Sequence, residues 1–533
     1  MEVVNHESFL KTIIAHPDED GPRLVYADWL DEYGATEHER ARAEFIRLQC
    51  RYDSMARYSP ERYDLEERAT ELLDRYADDW HDGVPTWAQF KREQPASGSK
   101  FRRGFLHGAA CPAAEFFEHP GRLFAAAPIR ELKLREIRDG GEALVGWRGF
   151  SNLQSMELNF CETPADVRSL LAAPCLTRLH GLELHFYLQH PTIPIYESQS
   201  MLGDDDARAI AHAKDLSCLT SLGLSVNRIG PDGIQHLVSS PYLSRIEKLD
   251  VSCNPVGDEG LRRLAESGLV ERLTSLDIWG TGIGNEGMEA LARTRPDALR
   301  FLKLGAYPTC RVGVRGLQAL LQCPGLISLR ELDLDSWQLN VGLVKTLASS
   351  PFLNHLHELH LAGTGLNDRM AMELASSPYL RNVRYLDLQN NRIGHRGIGA
   401  LCRSPVLASV TYLVLYNNRP MGDRAAVAIA RSPHVKEIRD LCLVHTNLGP
   451  EGTRALAFSR RLPELRTLDL QSNLIGDEGG RALCESPFFD KLRSLTLYNC
   501  GISEHVKVAL RKRFGPALRI EDETAKPMQD ICE

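Results

Sequence analysis

Pairs of leucine-like residues, separated by one residue that is usually polar, recur along most of the chain. The central example is Leu386-Asp387-Leu388. Between Leu224 and Leu497, the second members of successive pairs lie 27, 27, 26, 30, 27, 27, 27, 28, 27 and 27 residues apart. A fixed period of this length predicts a solenoid, in which each repeat buries its apolar side against its neighbours.

Each repeat predicts a short strand, a turn and a helix. Side chains alternate along a strand, so the paired leucines enter the core and the residue between them faces outward. Asn or Thr follows the pair, as at Asn391 and Thr364, and can satisfy backbone groups at the turn. The acidic residues of Gly-Asp-Glu-Gly segments such as 476–479 are expected to stabilise the start of their own helix. Helices often stop at Ser-Pro, as at Ser377-Pro378, because the residue before proline disfavours helical geometry.

Consecutive units of strand and helix predict a parallel sheet with right-handed connections. Strands lie about 4.8 Å apart whereas helices are about 10 Å wide, so the stack is expected to curve with its strands on the concave face. The pattern L-x-x-L-x-L with its 27-residue helical unit resembles the ribonuclease-inhibitor-like subclass of leucine-rich repeat proteins. The resemblance implies an α/β horseshoe, with parallel strands on the concave face and helices on the convex face. It would span residues 125–533 as about 14 repeats and a C-terminal cap.

The first 50 residues predict a small all-α module. Helices are expected over residues 8–15, over residues 23–33 after a proline, and around residues 39–49. The strings PRLVYADWLDE and EFIRLQ occur in the order and at the separation seen in bacterial repeat-companion domains, which this segment resembles. The resemblance implies an association with leucine-rich repeats and no known biochemical activity.

The second helix of this module carries a dense group of aromatic and acidic residues. Tyr26, Trp29 and the acids around them could form a patch that docks a peptide. A module this small needs its large side chains in the core, so we favour a core made by Leu24, Trp29 and Leu30 with solvated acids around it.

Residues 51–124 predict a helical linker and an N-terminal cap of the solenoid. A long helix is expected over residues 60–80, and strand structure near residues 101–110. One interval between repeats is long, and its excess falls in residues 185–206, which predict a loop of unknown function. A smaller excess surrounds residues 307–310.

Charge is unevenly distributed along the chain. The net charge is −8, and residues 1–100 hold 13 Lys and Arg against 22 Asp and Glu, so the remainder is close to neutral. This balance provides no broad cationic field for phosphate backbones, so nucleic-acid binding is not expected.

Three features bear on the compartment. No apolar run approaches the length of a membrane span, and the N-terminus lacks the pattern of a secretory signal. The 13 cysteines form no C-x-x-C pair, and several fall at core positions of the repeats. Buried free thiols fit a reducing cytoplasm, so we expect a cytoplasmic monomer with no membrane contact.

Catalytic signatures are missing from the sequence. It contains no phosphate-binding glycine loop, H-E-x-x-H, G-x-S-x-G or dinucleotide fingerprint in a suitable context, so we expect no enzymatic activity and no cofactor. Glu358 and His360, with Asp387 in the next repeat, could together hold a divalent cation. A solvated row with a raised histidine pKa is the favoured interpretation, so no metal is expected.

The outward positions of the strands are the favoured candidate site. Aspartate recurs at the middle of five strands, and exposed aromatic residues lie among these acids, a mixture that anchors partners, here a basic one. The alternative is that the aspartates only keep the sheet soluble. The candidate residues are Asp250, Asp277, Trp279, Phe301, Asp333, Asp335, His360, Tyr385, Asp387, Tyr412, Tyr416, Asp469 and Tyr498.

The sequence therefore predicts a non-enzymatic scaffold that binds a protein partner on the concave face of the solenoid. The alternative is a regulator of an enzyme, of the inhibitor or GTPase-activating type, by analogy with ribonuclease-inhibitor-like solenoids. A metal-binding or enzymatic site near His360 is the least favoured hypothesis.

Overall fold

Short parallel strands alternate with helices through most of the chain. The computed structural model describes residues 6–55, 60–81, 83–88, 101–137, 153–160, 171, 174–186, 201–305 and 311–520. Two compact units divide the chain, the first formed by Met1–Asn227 with Ser240–Arg245 and the second by Arg228–Ser239 with Ile246–Ala525. Within the described ranges, no helix is long and apolar enough to cross a membrane.

The first unit begins with helices, as the sequence predicts for an all-α N-terminal module. Its helices are α1 His6–Ala15, α2 Gly21–Tyr33, α3 Glu37–Asp53, α4 Pro60–Tyr76, α5 Ala113–Glu118, α6 Pro120–Ala126 and α7 Asp204–His212. Thr36 caps α3, because its hydroxyl accepts from the amide of Glu39 at 3.3 Å while the carboxylate of Glu39 accepts from the amide of Thr36 at 2.9 Å.

The core of the helical module differs from the prediction at one residue. Tyr26 and Leu30 are buried, but Leu24 is 38% exposed and Arg23 is buried in its place. The guanidinium of Arg23 donates to the carbonyls of Glu19 at 2.6 Å and Pro17 at 2.7 Å, both in the segment between α1 and α2. The inner face of α2 therefore includes a buried cation, and the expectation for Leu24 was wrong.

Seven strands lie in the described residues of the first unit. They are β1 Phe101–Arg102, β2 Phe105–Leu106, β3 Gly108–Pro112, β4 Glu131–Ile137, β5 Ser155–Phe160, β6 Gly181–Phe186 and β7 Ser221–Gly223. Strands β1 and β2 pair antiparallel, and β3 to β7 pair in parallel in chain order. Phe105 of β2 packs into the core of the helical module beside Tyr26 and Ile46. The strand structure predicted near residues 101–110 is therefore present.

The second unit repeats strand and helix. Its strands are β8 Lys248–Asp250, β9 Ser275–Asp277, β10 Phe301–Lys303, β11 Glu331–Asp333, β12 Glu358–His360, β13 Tyr385–Asp387, β14 Tyr412–Val414, β15 Asp440–Cys442, β16 Thr467–Asp469, β17 Ser494–Thr496 and β18 Leu518–Arg519. Its helices are α8 Pro231–Val238, α9 Gly257–Glu266, α10 Asn285–Ala292, α11 Val314–Leu321, α12 Val341–Ala348, α13 Asp368–Ala375, α14 His395–Arg403, α15 Gly422–Arg431, α16 Pro450–Ala457, α17 Gly476–Cys484 and α18 Glu504–Phe514.

All strands of the second unit are parallel, and the paired leucines stand opposite one another, as Leu359 does opposite Leu386. Leu386 is 3% exposed and Leu388 is fully buried. The predicted α/β solenoid is confirmed.

Single turns of 3-10 helix complete the described elements. They cover Ala77–Trp80, Thr86–Ala88, Pro174–Arg178, Lys214–Leu216, Pro324–Ser328, Pro351–His355, Leu380–Asn382, Pro405–Leu407 and Gly515–Ala517. Most of the predicted loop over residues 185–206, and all of residues 307–310, lie outside the described residues.

The asparagines after the strands join neighbouring repeats. The side-chain amide of Asn391 donates to the carbonyl of Leu388 at 3.0 Å within its own repeat and to that of Leu361 at 2.8 Å in the preceding repeat. Its oxygen accepts from the amide of Leu366 at 2.9 Å. Each asparagine of this kind satisfies backbone groups that the turn would leave unpaired, as predicted.

Several aspartates in the first turns of the helices also accept hydrogen bonds across repeats, a contact that the sequence analysis did not include. The carboxylate of Asp258, in the first turn of α9, accepts from the amides of Gly284 and Gly287 at 2.7 Å each, at the start of α10. Asp368 and Asp423 make the same pair of bonds to the next helix. Since these aspartates lie inside the first turn, their side chains point along the stack rather than back over their own amides.

The serines of the Ser-Pro segments also join repeats. The hydroxyl of Ser404 donates to the carbonyl of Ala375 at 2.6 Å, and that of Ser432 donates to Cys402 at 2.6 Å. Each serine thus satisfies an orphan carbonyl at the end of the preceding helix, in addition to the stop set by proline.

Candidate functional site

The outward side chains of the second unit form three rows across its strands, which we call the strand face. The first row consists of the first residue of each strand, the second row of the third residue, and the third row of the residue two positions further on. Strand pairing aligns the rows, since Glu331 stands opposite Glu358 and Asp333 opposite His360.

Every predicted candidate residue falls in one of these rows. The first row contains Phe301, Tyr385 and Tyr412; the second contains Asp250, Asp277, Asp333, His360, Asp387 and Asp469; the third contains Trp279, Asp335, Tyr416 and Tyr498. Asp333 and Asp387 are 7% and 3% exposed, whereas the others are half-buried. The carboxylates therefore lie among neighbouring side chains and do not project freely into solvent.

Each aspartate of the second row makes the same kind of hydrogen bond at the end of its own strand. One carboxylate oxygen accepts from the backbone amide two residues later, at 2.9 Å from Asp277 to Trp279 and at 2.8 Å from Asp387 to Gln389. Asp250, Asp333 and Asp469 make the same bond. These are Asx turns, which close each strand locally. The aspartates thus have a structural role that neither sequence interpretation included, and it occupies one oxygen of each.

Burial, with a smaller effect of neighbouring carboxylates, raises the pKa values of several aspartates in the second and third rows. Burial, together with the charge of Asp250, raises the pKa of Asp277 to about 7. Burial and the charge of Asp333 raise the pKa of Asp335 to about 7, and burial raises that of Asp387 to about 6. A cation brought close to these groups would relieve the repulsion and restore their charge.

Lys303 is the cation of the second row between β9 and β11. Its ammonium lies 4.0 Å from a carboxylate oxygen of Asp277 and 3.8 Å from one of Asp333. The lysine offsets part of the negative charge in that portion of the strand face. The presence of Lys303 shows that the second row accommodates a cationic side chain.

His360 lies at the centre of the acidic part of the strand face. Its Nε2 is 3.7 Å from an oxygen of Glu358 and 3.9 Å from one of Glu331. Burial lowers the pKa of His360, but the neighbouring carboxylates outweigh burial and raise it to about 9; they belong to Glu358, Asp333, Asp335 and Glu331. This agrees with the raised histidine pKa expected from the sequence.

Stacked rings continue from this histidine. The ring centroids of His360 and Tyr385 are 4.9 Å apart with planes inclined by 28°, and those of Tyr385 and Tyr412 are 5.0 Å apart with planes inclined by 20°. Trp279 packs over the backbone of Gly305, where an added Cβ would lie 2.0 Å from the indole. The aromatic side chains are therefore held in place before any partner binds, which lowers the entropy cost of binding.

A column of basic residues borders the first row and was missed by the sequence analysis. It occupies the position just before seven of the strands, whereas Thr274 and Thr411 hold that position before β9 and β14. The amide at this position bonds to the carbonyl of its counterpart in the preceding repeat, as Arg330 does to Arg300 at 2.8 Å. Its members are Arg300, Arg330, His357, Arg384, Arg439, Arg466 and Arg493. The signal in the sequence is the recurring basic residue two positions before the first leucine of the pair.

A second histidine with two glutamates, in the first unit, was also missed. Glu157 of β5 stands opposite Glu183 of β6, and His185 follows two residues later on the same face. The ligand atoms of these three side chains all lie within 4.8 Å of one another, as do those of Glu331, Glu358 and His360. The sequence signal is the repetition of Glu-Leu-His at 183–185 and 358–360.

Comparison with known proteins identifies the repeat. A family model described as Leucine Rich repeat matches residues 245–265, 273–292, 379–402 and 462–484. No curated protein matches the chain.

Three solved structures are similar at low identity. An internalin from Listeria monocytogenes is 15% identical with a TM-score of 0.41, over 71% of this chain and 88% of that one. The Rad7 and Elc1 complex of yeast is 16% identical with a TM-score of 0.45, over 97% of this chain and 98% of that one. The Toll–Spatzle complex of Drosophila is 14% identical with a TM-score of 0.37, over 76% of this chain and 51% of that one.

Proposed function

We propose that this leucine-rich repeat protein is a non-enzymatic scaffold that binds a basic segment of another protein on the strand face of its second unit. The observation that carries the proposal is the placement of crowded carboxylates beside stacked rings on one rigid set of strands. Such a surface offers charge and aromatic area without a pocket, which suits a protein partner rather than a small substrate.

The raised pKa values of Asp277 and Asp335 support a cationic partner. Each value reports a carboxylate whose ionisation is unfavourable in its present surroundings. A lysine or arginine of the partner would lower these pKa values, and the free energy gained would contribute to binding. The rings of Tyr385 and Tyr412 can receive a guanidinium through a cation–π contact.

The basic column indicates how charges should be distributed along the partner segment. Because arginines precede most strands on the side of the strand face where the strands begin, a bound segment should carry basic residues over the second and third rows. It should place acidic or neutral residues toward Arg330 and Arg384. Complementary charges of this kind set orientation and specificity more than affinity.

Several finer features are part of the same proposal. We place the repeats in the ribonuclease-inhibitor-like subclass, because each described repeat of the second unit pairs a strand with a helix. The helical N-terminus is assigned as a bacterial repeat-companion module on the strings quoted above. Cys50 and Cys402 form no disulfide, which supports a reducing cytoplasm. A monomer without nucleic-acid or membrane contacts completes this proposal.

The test compares affinity capture from native lysate by the wild type and by a strand-face variant. The variant carries Asp277→Asn, Asp333→Asn and Asp335→Asn, since asparagine removes the charge and keeps an oxygen for each backbone bond. The wild type should recover a basic protein that the variant loses, and raising the salt concentration should weaken the wild-type complex.

A matched control removes three charges from the helices instead. Glu286→Gln, Glu451→Gln and Glu478→Gln change exposed glutamates in the first turns of α10, α16 and α17. This variant should recover the same partner as the wild type. Recovery of identical proteins by all three baits, or loss of an acidic partner, would contradict the proposal.

A further inference from the structure

Glu331, Glu358 and His360 form a three-sided cluster on two neighbouring strands. Glu331 of β11 stands opposite Glu358 of β12, and His360 follows two residues later, so all three side chains share one face. One ligand atom from each lies within 4.8 Å of the other two. Because the strands are locked by backbone hydrogen bonds, the cluster is held on a rigid element, as a metal site requires.

The imidazole of His360 is aimed into the space between the two carboxylates. Its Nε2 is buried and makes no hydrogen bond within the described chain, while its ring is fixed by stacking on Tyr385. The distances of 3.7 Å to Glu358 and 3.9 Å to Glu331 exceed those of hydrogen bonds. Ligands of a tetrahedral zinc ion lie about 3.3–3.5 Å from one another, so small side-chain shifts would place all three around one ion.

The same arrangement occurs at an independent place in the chain. Glu157, Glu183 and His185 occupy the corresponding positions on β5 and β6. There the other ring nitrogen of His185 lies 2.7 Å from the hydroxyl of Ser225, the kind of contact that orients a metal-binding histidine. In that cluster, however, the ammonium of Lys133 forms an ion pair with Glu157 and already supplies a cation.

We propose that Glu331, Glu358 and His360 bind one first-row divalent metal ion of the zinc class. Imidazole nitrogen and carboxylate oxygens are ligands that zinc takes together, and the nearby carboxylates of Asp333 and Asp335 add attraction for a dication. Coordination takes a neutral imidazole, so binding expels the proton that His360 otherwise carries. Three protein ligands leave a position for water or for a side chain of a bound partner.

Metal binding by this cluster would be an additional property, and it does not depend on the proposed scaffold function. In the alternative, protonated His360 simply neutralises the two glutamates as an ion triad, which shares the raised histidine pKa that the sequence predicted. Two structural observations favour the metal: the buried Nε2 of His360 lies too far from both carboxylates to form a hydrogen bond, and the cluster occurs a second time.

The test is calorimetric titration of the chelator-treated, full-length protein with Zn²⁺ at fixed pH. The wild type should bind one equivalent, and Glu331→Gln, Glu358→Gln and His360→Gln should each weaken binding at least about tenfold. Circular dichroism of each variant shows that it is folded. A His357→Gln control, which changes a neighbouring histidine outside the cluster, should bind as the wild type does.

A Co²⁺ titration distinguishes this cluster from the free cysteines. Binding through nitrogen and oxygen gives weak visible absorption, whereas a thiolate ligand adds intense near-ultraviolet charge transfer. A His360-dependent visible band supports the proposal. The absence of binding, binding that the three variants leave unchanged, or a thiolate signal would overturn it and leave the ion triad.

Discussion

The carboxylate of Asp368 accepts a hydrogen bond of 2.7 Å from the backbone amide of Gly394, which belongs to the next repeat. The same oxygen accepts from Gly397 at 2.8 Å. Both amides lie at the start of α14 and would otherwise be orphans of that helix. Asp258 and Asp423 cap the following helix in the same way, so these repeats share local stability with their successors.

Replacing Asp368 with alanine should destabilise the second unit by about 1–2 kcal/mol, the usual effect of losing a helix cap. Asp368→Asn should cost much less, because its amide oxygen can still accept from Gly394. Urea unfolding followed by circular dichroism measures both changes. Arg369→Ala, at the exposed neighbouring position, is the control and should change stability little. An equal loss of unfolding free energy in the alanine and asparagine variants would show that the charge of Asp368, rather than its hydrogen bonds, provides the stability.

Arg23→Ala should destabilise the first unit by about 2–4 kcal/mol, since the carbonyls of Glu19 and Pro17 would be left unpaired beside a cavity. Leu24→Ala, one residue further along α2, removes a side chain that is 38% exposed and should cost well under about 1 kcal/mol. Urea unfolding followed by tryptophan fluorescence compares the two variants. A larger loss of stability from Leu24→Ala than from Arg23→Ala would support the core that the sequence predicted, with Leu24 in it.

The regular spacing of the leucine pairs was enough to predict the features of the fold that recur in each repeat. The leucine pairs gave the strand positions and their alignment, and with them the placement of Asp387, His360 and Tyr385 on one face. Contacts between repeats were not predictable in this way, because Asp368 and Gly394 are far apart in sequence and meet only through the stack. The burial of Arg23 depends on carbonyls in the segment between α1 and α2, and apolar patterning carries no information about them.

Asp277→Asn should stabilise the second unit above neutral pH. The folded-state pKa of Asp277 is raised to about 7, so its stability contribution is fully present at low pH and is lost as pH rises toward 7. Asparagine keeps the acceptor for Trp279 without the charge. We expect a gain of about 1–2 kcal/mol at pH 8 and no gain at pH 4, allowing for the lost attraction to Lys303.

The measurement is urea unfolding of wild type and variant at both pH values. Asp423→Asn is a matched control, because its carboxylate also accepts from backbone amides and belongs to a cap rather than to the crowded row. A gain of equal size at pH 4 and pH 8 would show that the charge of Asp277 is not its cause.

Lys133→Met should create a second metal site in the first unit. The ammonium of Lys133 pairs with Glu157 and competes with any cation for that carboxylate, while His185 is already oriented by Ser225. With the lysine removed, zinc stoichiometry by calorimetry should rise from one to two. Adding Glu183→Gln to the Lys133→Met variant should return it to one, since Glu183 supplies a ligand atom of that cluster.

Lys214→Met removes an exposed lysine elsewhere in the first unit and should leave the stoichiometry at one. If a folded Lys133→Met variant also binds a single equivalent, the ion pair with Glu157 is not what distinguishes the two clusters. The resemblance between them would then lie in strand register alone, with Glu331, Glu358 and His360 owing their affinity to the surrounding acids of the second row.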